Sequence, residues 1–136
     1  GSSGASNLVD YITIASTGNA TSFGNLTGTN YETSATSDDT RALRGGGKGS
    51  GGETNSIEYM TIATSGAGID FGDLTSPREE ISAFSDGTYA VFAGGNNTQP
   101  RDILDRVTIQ TTGNATDFGD LTTAVVASAS SSGSAS

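Results

Sequence analysis

The chain has 136 residues, 15 of them acidic and 6 basic, for a net charge of −9. That charge, with no basic cluster, excludes a binder of nucleic-acid backbone, and no apolar run reaches the roughly 18 residues of a membrane-crossing helix. With no Cys and no His, the sequence also lacks thiol nucleophiles, thiolate or imidazole metal ligands, disulfides and any Ser-His-Asp arrangement.

Hydrophobic residues make only 32% of the chain, and 19 Ser, 20 Thr and 20 Gly fill much of the rest. Such a mix often means disorder, but here a regular apolar rhythm argues for a fold. Residues 1–6 (GSSGAS) lack the basic and apolar regions of a signal peptide. Residues 10–27 read DYITIASTGNATSFGNLT, and the same unit returns at 58–75 (EYMTIATSGAGIDFGDLT) and 105–122 (DRVTIQTTGNATDFGDLT). The first and third copies agree at 12 of 18 positions. A second segment, SATSDDTRAL at 34–43, returns as SAFSDGTYAV at 82–91, and the pairs Gly46-Gly47 and Gly94-Gly95 follow. Ser128 to Ser136 align with the start of that second segment. The Phe residues at 23, 71 and 118 give spacings of 48 and 47. The chain therefore reads as one repeat domain of nearly three units, approximately 1–46, 47–94 and 95–136, cut within a unit at both termini.

Each period holds four expected strands. In the second copy these are 80–84, 88–93, 104–110 and 115–121, with turns at Ser85-Asp86-Gly87 and Thr112-Gly113-Asn114. In the third strand Asp105, Val107 and Ile109 fall on one side of the period-two alternation, and Leu104, Arg106, Thr108 and Gln110 on the other. β-Branched residues, alternation and Gly/Asn/Asp punctuation predict an all-β chain of antiparallel meanders, with no long helix. A four-stranded antiparallel unit of this size matches a propeller blade. The Gly-Gly pairs are expected to supply positive φ and close backbone approach. Phe23, Phe71 and Phe118 are expected to pack between neighbouring units, with Leu26, Leu74 and Leu121 as the other recurrent apolar positions.

A Gly-Gly after an apolar strand, in a unit near 47 residues, resembles the kelch repeat, although the Tyr and Trp that follow the pair in that family are missing here. Residues 10–27, 58–75, 105–122 and 85–95 are more closely similar to a tandem kelch-like repeat of virion structural proteins in tailed phages, cyanophages especially. The resemblance implies four-stranded antiparallel repeats forming a β-propeller or part of one, in a structural protein displayed on a particle surface.

Other motifs carry less. Asp70-Phe71-Gly72 and Asp117-Phe118-Gly119 spell a kinase magnesium motif without its catalytic loop or glycine-rich strand. Gly45 to Ser50 fails the order of a phosphate-binding loop, and no helix is expected after it. Ser85 to Tyr89 resembles the Asp-box turn of sialidases but lacks one residue of its spacing. Asn114, Asp117 and Asp120, with Asp70 and Asp73, form an oxygen-rich set that suits Ca²⁺ weakly; the competing reading is side chains closing turns. These acids recur with the repeat, whereas a catalytic pair is usually unique.

The sequence thus predicts a non-enzymatic structural or adhesive protein, without cofactor, on a virion surface or otherwise extracellular. Its partners would be the rest of a longer array or a second copy, joined as a dimer or head to tail, since three units leave sheet edges open. Its loops 28–33, 47–56 and 96–103 would carry any recognition. The alternative is a carbohydrate-binding module for host surface polysaccharide, with Tyr31, Tyr59 and Tyr89 as candidate contacts.

Overall fold

The computed structural model describes residues 4–126. The repeat segment at 128–136 lies outside them. Among the described residues there are thirteen strands and no helix: β1 (Leu8–Tyr11), β2 (Thr21–Asn25), β3 (Ser34–Ser37), β4 (Arg41–Gly45), β5 (Lys48–Gly49), β6 (Gly52–Glu53), β7 (Ser56–Thr61), β8 (Ile69–Asp73), β9 (Ser82–Ser85), β10 (Tyr89–Ala93), β11 (Asn96–Asn97), β12 (Gln99–Thr108) and β13 (Thr116–Val125). Every pairing between them is antiparallel. The first sheet is β1-β2, the second is β3-β4-β7-β8, and the third is β9-β10-β12-β13 with β11 on the start of β12. β5 and β6 form a separate small hairpin. Each four-stranded sheet takes two strands from one sequence unit and two from the next.

Local chemistry sets these elements. The β3–β4 hairpin is closed by Asp38, whose Oδ1 accepts the Thr40 and Arg41 amides, both at 2.7 Å. Asp86 closes β9–β10 in the same way, accepting Thr88 N at 2.9 Å and Tyr89 N at 2.8 Å. A short carboxylate here substitutes for a backbone acceptor and fixes the turn. After each second strand the Gly-Gly pair takes φ values of 62° and 102°, and of 62° and 99°. No side chain fits there: a Cβ on Gly46 would lie 2.6 Å from the Arg78 carbonyl, and one on Gly95 2.7 Å from that of Glu79.

The structure lengthens two strands beyond their expected limits. β12 begins at Gln99 because Asn96-Asn97 folds back on Gln99-Pro100 as a tight hairpin. Pro100 is tolerated because β11 is only two residues long and leaves it at a sheet margin. β13 runs on to Val125 through a register shift that pairs Val125 with Arg101.

The core is built where the second and third sheets meet. Leu43, Ile57, Phe71 and Leu74 from the second join Ala83, Ala90, Phe92, Val107 and Ile109 from the third, with Ile81 from the connection. The alternation holds along β12 and the two residues after it: Asp105, Val107 and Ile109 are buried, whereas Thr108 and Gln110 are exposed. Burying each large side chain stabilises by about 1.5–3 kcal/mol. The first strands of the two sheets, β3 and β9, also touch, with the Ser85 hydroxyl donating to the Ser37 carbonyl at 2.6 Å. These two serines occupy equivalent positions in successive repeats, so neighbouring sheets are related by the sequence period itself.

Candidate functional site

The feature that recurs with the repeat is the seam between consecutive sheets. In the first seam, Gly66 N donates to the Phe23 carbonyl at 3.0 Å, and Gly68 N to the Asn25 carbonyl at 2.7 Å. In the second, Gly113 N donates to the Phe71 carbonyl and Ala115 N to that of Asp73, both at 2.7 Å. The donors lie 47 residues apart and the acceptors 48, so one contact is made twice. In each case the loop before a sheet's last strand lies along the outer edge of the preceding sheet. An edge strand with unpaired backbone groups is thereby covered.

The glycine after each Phe makes this approach possible. A Cβ on Gly24 would collide with the Gly66 carbonyl, and one on Gly72 with that of Gly113. The Asp-Phe-Gly spelling is thus explained by packing: Phe fills the seam and Gly admits the neighbouring loop. Phe71 is 3% exposed and forms an edge-to-face pair with Tyr59, centroids 6.1 Å apart. Phe23 is half-buried and pairs likewise with Tyr11 at 6.0 Å. Phe118, at the outer edge of the third sheet, is 53% exposed.

Each seam also carries a carboxylate. Thr27 N donates to Glu58 Oε1 at 3.2 Å. Thr75 N donates to Asp105 Oδ2 at 3.0 Å, and its hydroxyl to Oδ1 at 2.7 Å. Both carboxylates are buried and both meet an arginine: Arg44 at 3.1 Å from Glu58, and Arg78 at 2.7 Å from Asp105. The arginines come from different places, Arg44 from β4 and Arg78 from the connection before β9. Arg78 also donates to the Gly94 carbonyl at 3.0 Å, which ties the ion pair to the Gly-Gly turn. Burial pulls the Arg78 guanidinium below its ordinary range, and the Asp105 carboxylate opposes this.

Of the remaining candidate residues the structure joins Asn114 to Asp73. Leu74 is buried, while Leu26 and Leu121 are half-buried. Asn114 Oδ1 accepts the Asp73 amide at 3.0 Å, and Asp117 Oδ1 accepts the Gly119 amide at 3.0 Å. Asp70 and Asp120 are exposed. Among the described residues no group of three or more Asp, Glu, His or Cys is placed to hold a metal ion. Gly45 to Ser50 closes β4, makes the Gly-Gly turn and enters β5, and no helix follows it.

The tyrosines occupy three settings. Tyr31 exchanges backbone hydrogen bonds with Lys48, at 3.0 and 2.9 Å, and its ring is exposed. Tyr59 is half-buried beneath the Arg41 guanidinium, 4.5 Å from the ring centroid. Tyr89 is partly exposed, and Arg106 lies over it at 4.7 Å and over Phe118 at 4.6 Å. Phe84, Tyr89, Val91, Arg106 and Phe118 line a largely apolar pocket on this flank. The loops 47–56 and 96–103 are partly ordered as the β5–β6 and β11–β12 hairpins. Their first strands bridge back to the connections at Tyr31 and Glu79.

Motif reading missed Glu58, Asp105, Thr27, Thr75, Arg44 and Arg78. The carboxylates had a signal, an acid repeating on the inward side of the third strand. The arginines had none, because they do not repeat. No family model matches the chain, and no curated protein matches it either.

Proposed function

We propose that the chain is a non-enzymatic structural or adhesive surface protein, a component of a phage virion appendage, fibre or decoration, built from kelch-like blades of propeller type. The observation that carries this reading is the seam. The most specific chemistry in the molecule joins one sheet to the next: four edge-capping amides, and two buried, arginine-paired carboxylates that reach Thr27 and Thr75 across the seam. The cyanophage-like repeat sequence, the acidic surface and the absence of Cys suit a particle exterior. Immunogold labelling of purified tailed-phage particles whose genome encodes the chain tests this placement. Gold on the particle surface is expected. Gold confined to the unassembled fraction of the lysate would overturn it.

A second reading is supported by the Tyr89–Arg106–Phe118 flank, where two exposed rings flank a guanidinium beside an apolar pocket. Exposed aromatic faces with a polar neighbour suit stacking against sugar rings. Titration with host surface polysaccharide, comparing wild type with Tyr89→Ala, distinguishes this module from a purely structural unit.

A further inference from the structure

We propose that a second copy of this chain docks head to tail on the outer edge of the third sheet, remaking the internal seam between molecules. The inference deepens the structural reading above by naming the partner and the contact.

Among the described residues the seam is made twice, and each of its two halves is found once more without a mate. The receiving half is the Phe118-Gly119-Asp120 edge of β13, followed by Thr122. By the repeat period these match Phe71, Gly72, Asp73 and Thr75, which all act in the second seam. Among the described residues no loop covers them: Phe118 is 53% exposed where Phe71 is 3%, and a Cβ on Gly119 would meet nothing within 4 Å. The inserting half is the loop through Gly18 and Ala20, with Asp10 behind it. These match Gly66, Gly68 and Glu58 of the first seam. Gly18, Ala20 and Asp10 are exposed.

Apolar surface is complementary in the same way. In the second seam, Phe71 shares a buried cluster with Val107 and Ile109. The residues matching those two on the first sheet are Ile12 and Ile14, 61% and 94% exposed. Docking would place them against Phe118, offer the Gly18 and Ala20 amides to the Phe118 and Asp120 carbonyls, and offer Asp10 to Thr122. The two surfaces differ, so the contact is heterologous and propagates unless the rotation closes a ring.

Sedimentation velocity over a broad concentration range tests this with surface substitutions that spare the fold. Ile14→Glu blocks the head, and Phe118→Glu blocks the tail. The wild type is expected to grow in mass beyond 13.6 kDa with concentration. Each blocked variant alone is expected to stay monomeric with an unchanged circular dichroism spectrum. Their mixture is expected to form a dimer and nothing larger, because one intact head and one intact tail remain. Asp10→Lys should weaken wild-type association at least tenfold. A wild type that stays monomeric throughout overturns the proposal, as does a mixture that fails to dimerise or a blocked variant that still associates. Polysaccharide binding through Phe118 in such a monomer would assign the exposed ring to the carbohydrate reading. Surface labelling of particles would stand or fall separately.

Discussion

Replacing Asp105 by Asn keeps the shape of the side chain and removes the counter-charge of the Arg78 ion pair. The magnitude follows from the surroundings. Both partners are fully buried, 2.7 Å apart, and Asp105 also accepts two hydrogen bonds from Thr75 across the seam. In the variant, Arg78 stays buried without compensation, and the amide NH2 turns its hydrogens toward the donors of Arg78 and Thr75. Breaking one side of such a pair costs about 3–5 kcal/mol, a large share of the roughly 5–15 kcal/mol that holds an ordinary domain folded. The loss falls on the second seam. Stability in a repeat array is a sum of unit terms and nearest-neighbour terms, so the second and third sheets should also unfold less cooperatively. Urea denaturation followed by circular dichroism should show a lower midpoint and a shallower slope for Asp105→Asn. The double variant Arg78→Met/Asp105→Leu removes both charges and should recover part of the loss, because a buried pair is often no better than apolar residues of similar volume, while the two Thr75 hydrogen bonds stay broken. A single-variant cost below about 1 kcal/mol would refute the reasoning, as would a double variant as damaged as the sum of its parts.

Three further outcomes are expected. Gly24→Ala forces a Cβ into the Gly66 carbonyl and should lower stability by about 1–3 kcal/mol in thermal denaturation, while Gly66→Ala, across the same contact, meets nothing within 4 Å and should stay within about 0.5 kcal/mol. The Tyr89 and Thr88 amides hold the Asp86 carboxyl below its ordinary value of 3.8. Its contribution is therefore present above that pH and lost as pH falls through the lower folded value, so the melting temperature of wild type should fall more steeply than that of Asp86→Asn between pH 5 and pH 2. Phe71→Ala empties the second seam and should cost about 3–5 kcal/mol, whereas Phe118→Ala, exposed at the outer edge, should cost far less in dilute protein.

The sequence carried the strands because their signals are local. Alternation at Asp105, Val107 and Ile109, the Asp turns at Asp38 and Asp86, and the Gly-Gly pairs each act within a few residues. It carried the period because the repeat is long and well kept. The role of the Phe-Gly dipeptide was half legible: Phe signals packing, but nothing in one strand tells that the next residue must admit a carbonyl from a loop some 40 residues away, at Gly66 or Gly113. The ion pairs were least legible. Arg44 and Arg78 serve equivalent carboxylates from different sequence positions, so no alignment of the repeats reveals them. The ends of β12 and β13 differ from the expected ones because a two-residue hairpin and a register shift are set by pairing and not by propensity.

The most direct test of the seam is amide hydrogen exchange, residue by residue, in dilute protein. The Gly66, Gly68, Gly113 and Ala115 amides lie in loops but donate across the two seams, and they should be protected to the level of the strands. The matching Gly18 and Ala20 amides should exchange rapidly, and become protected only as the protein is concentrated. Equal, fast exchange at all six positions would contradict the account.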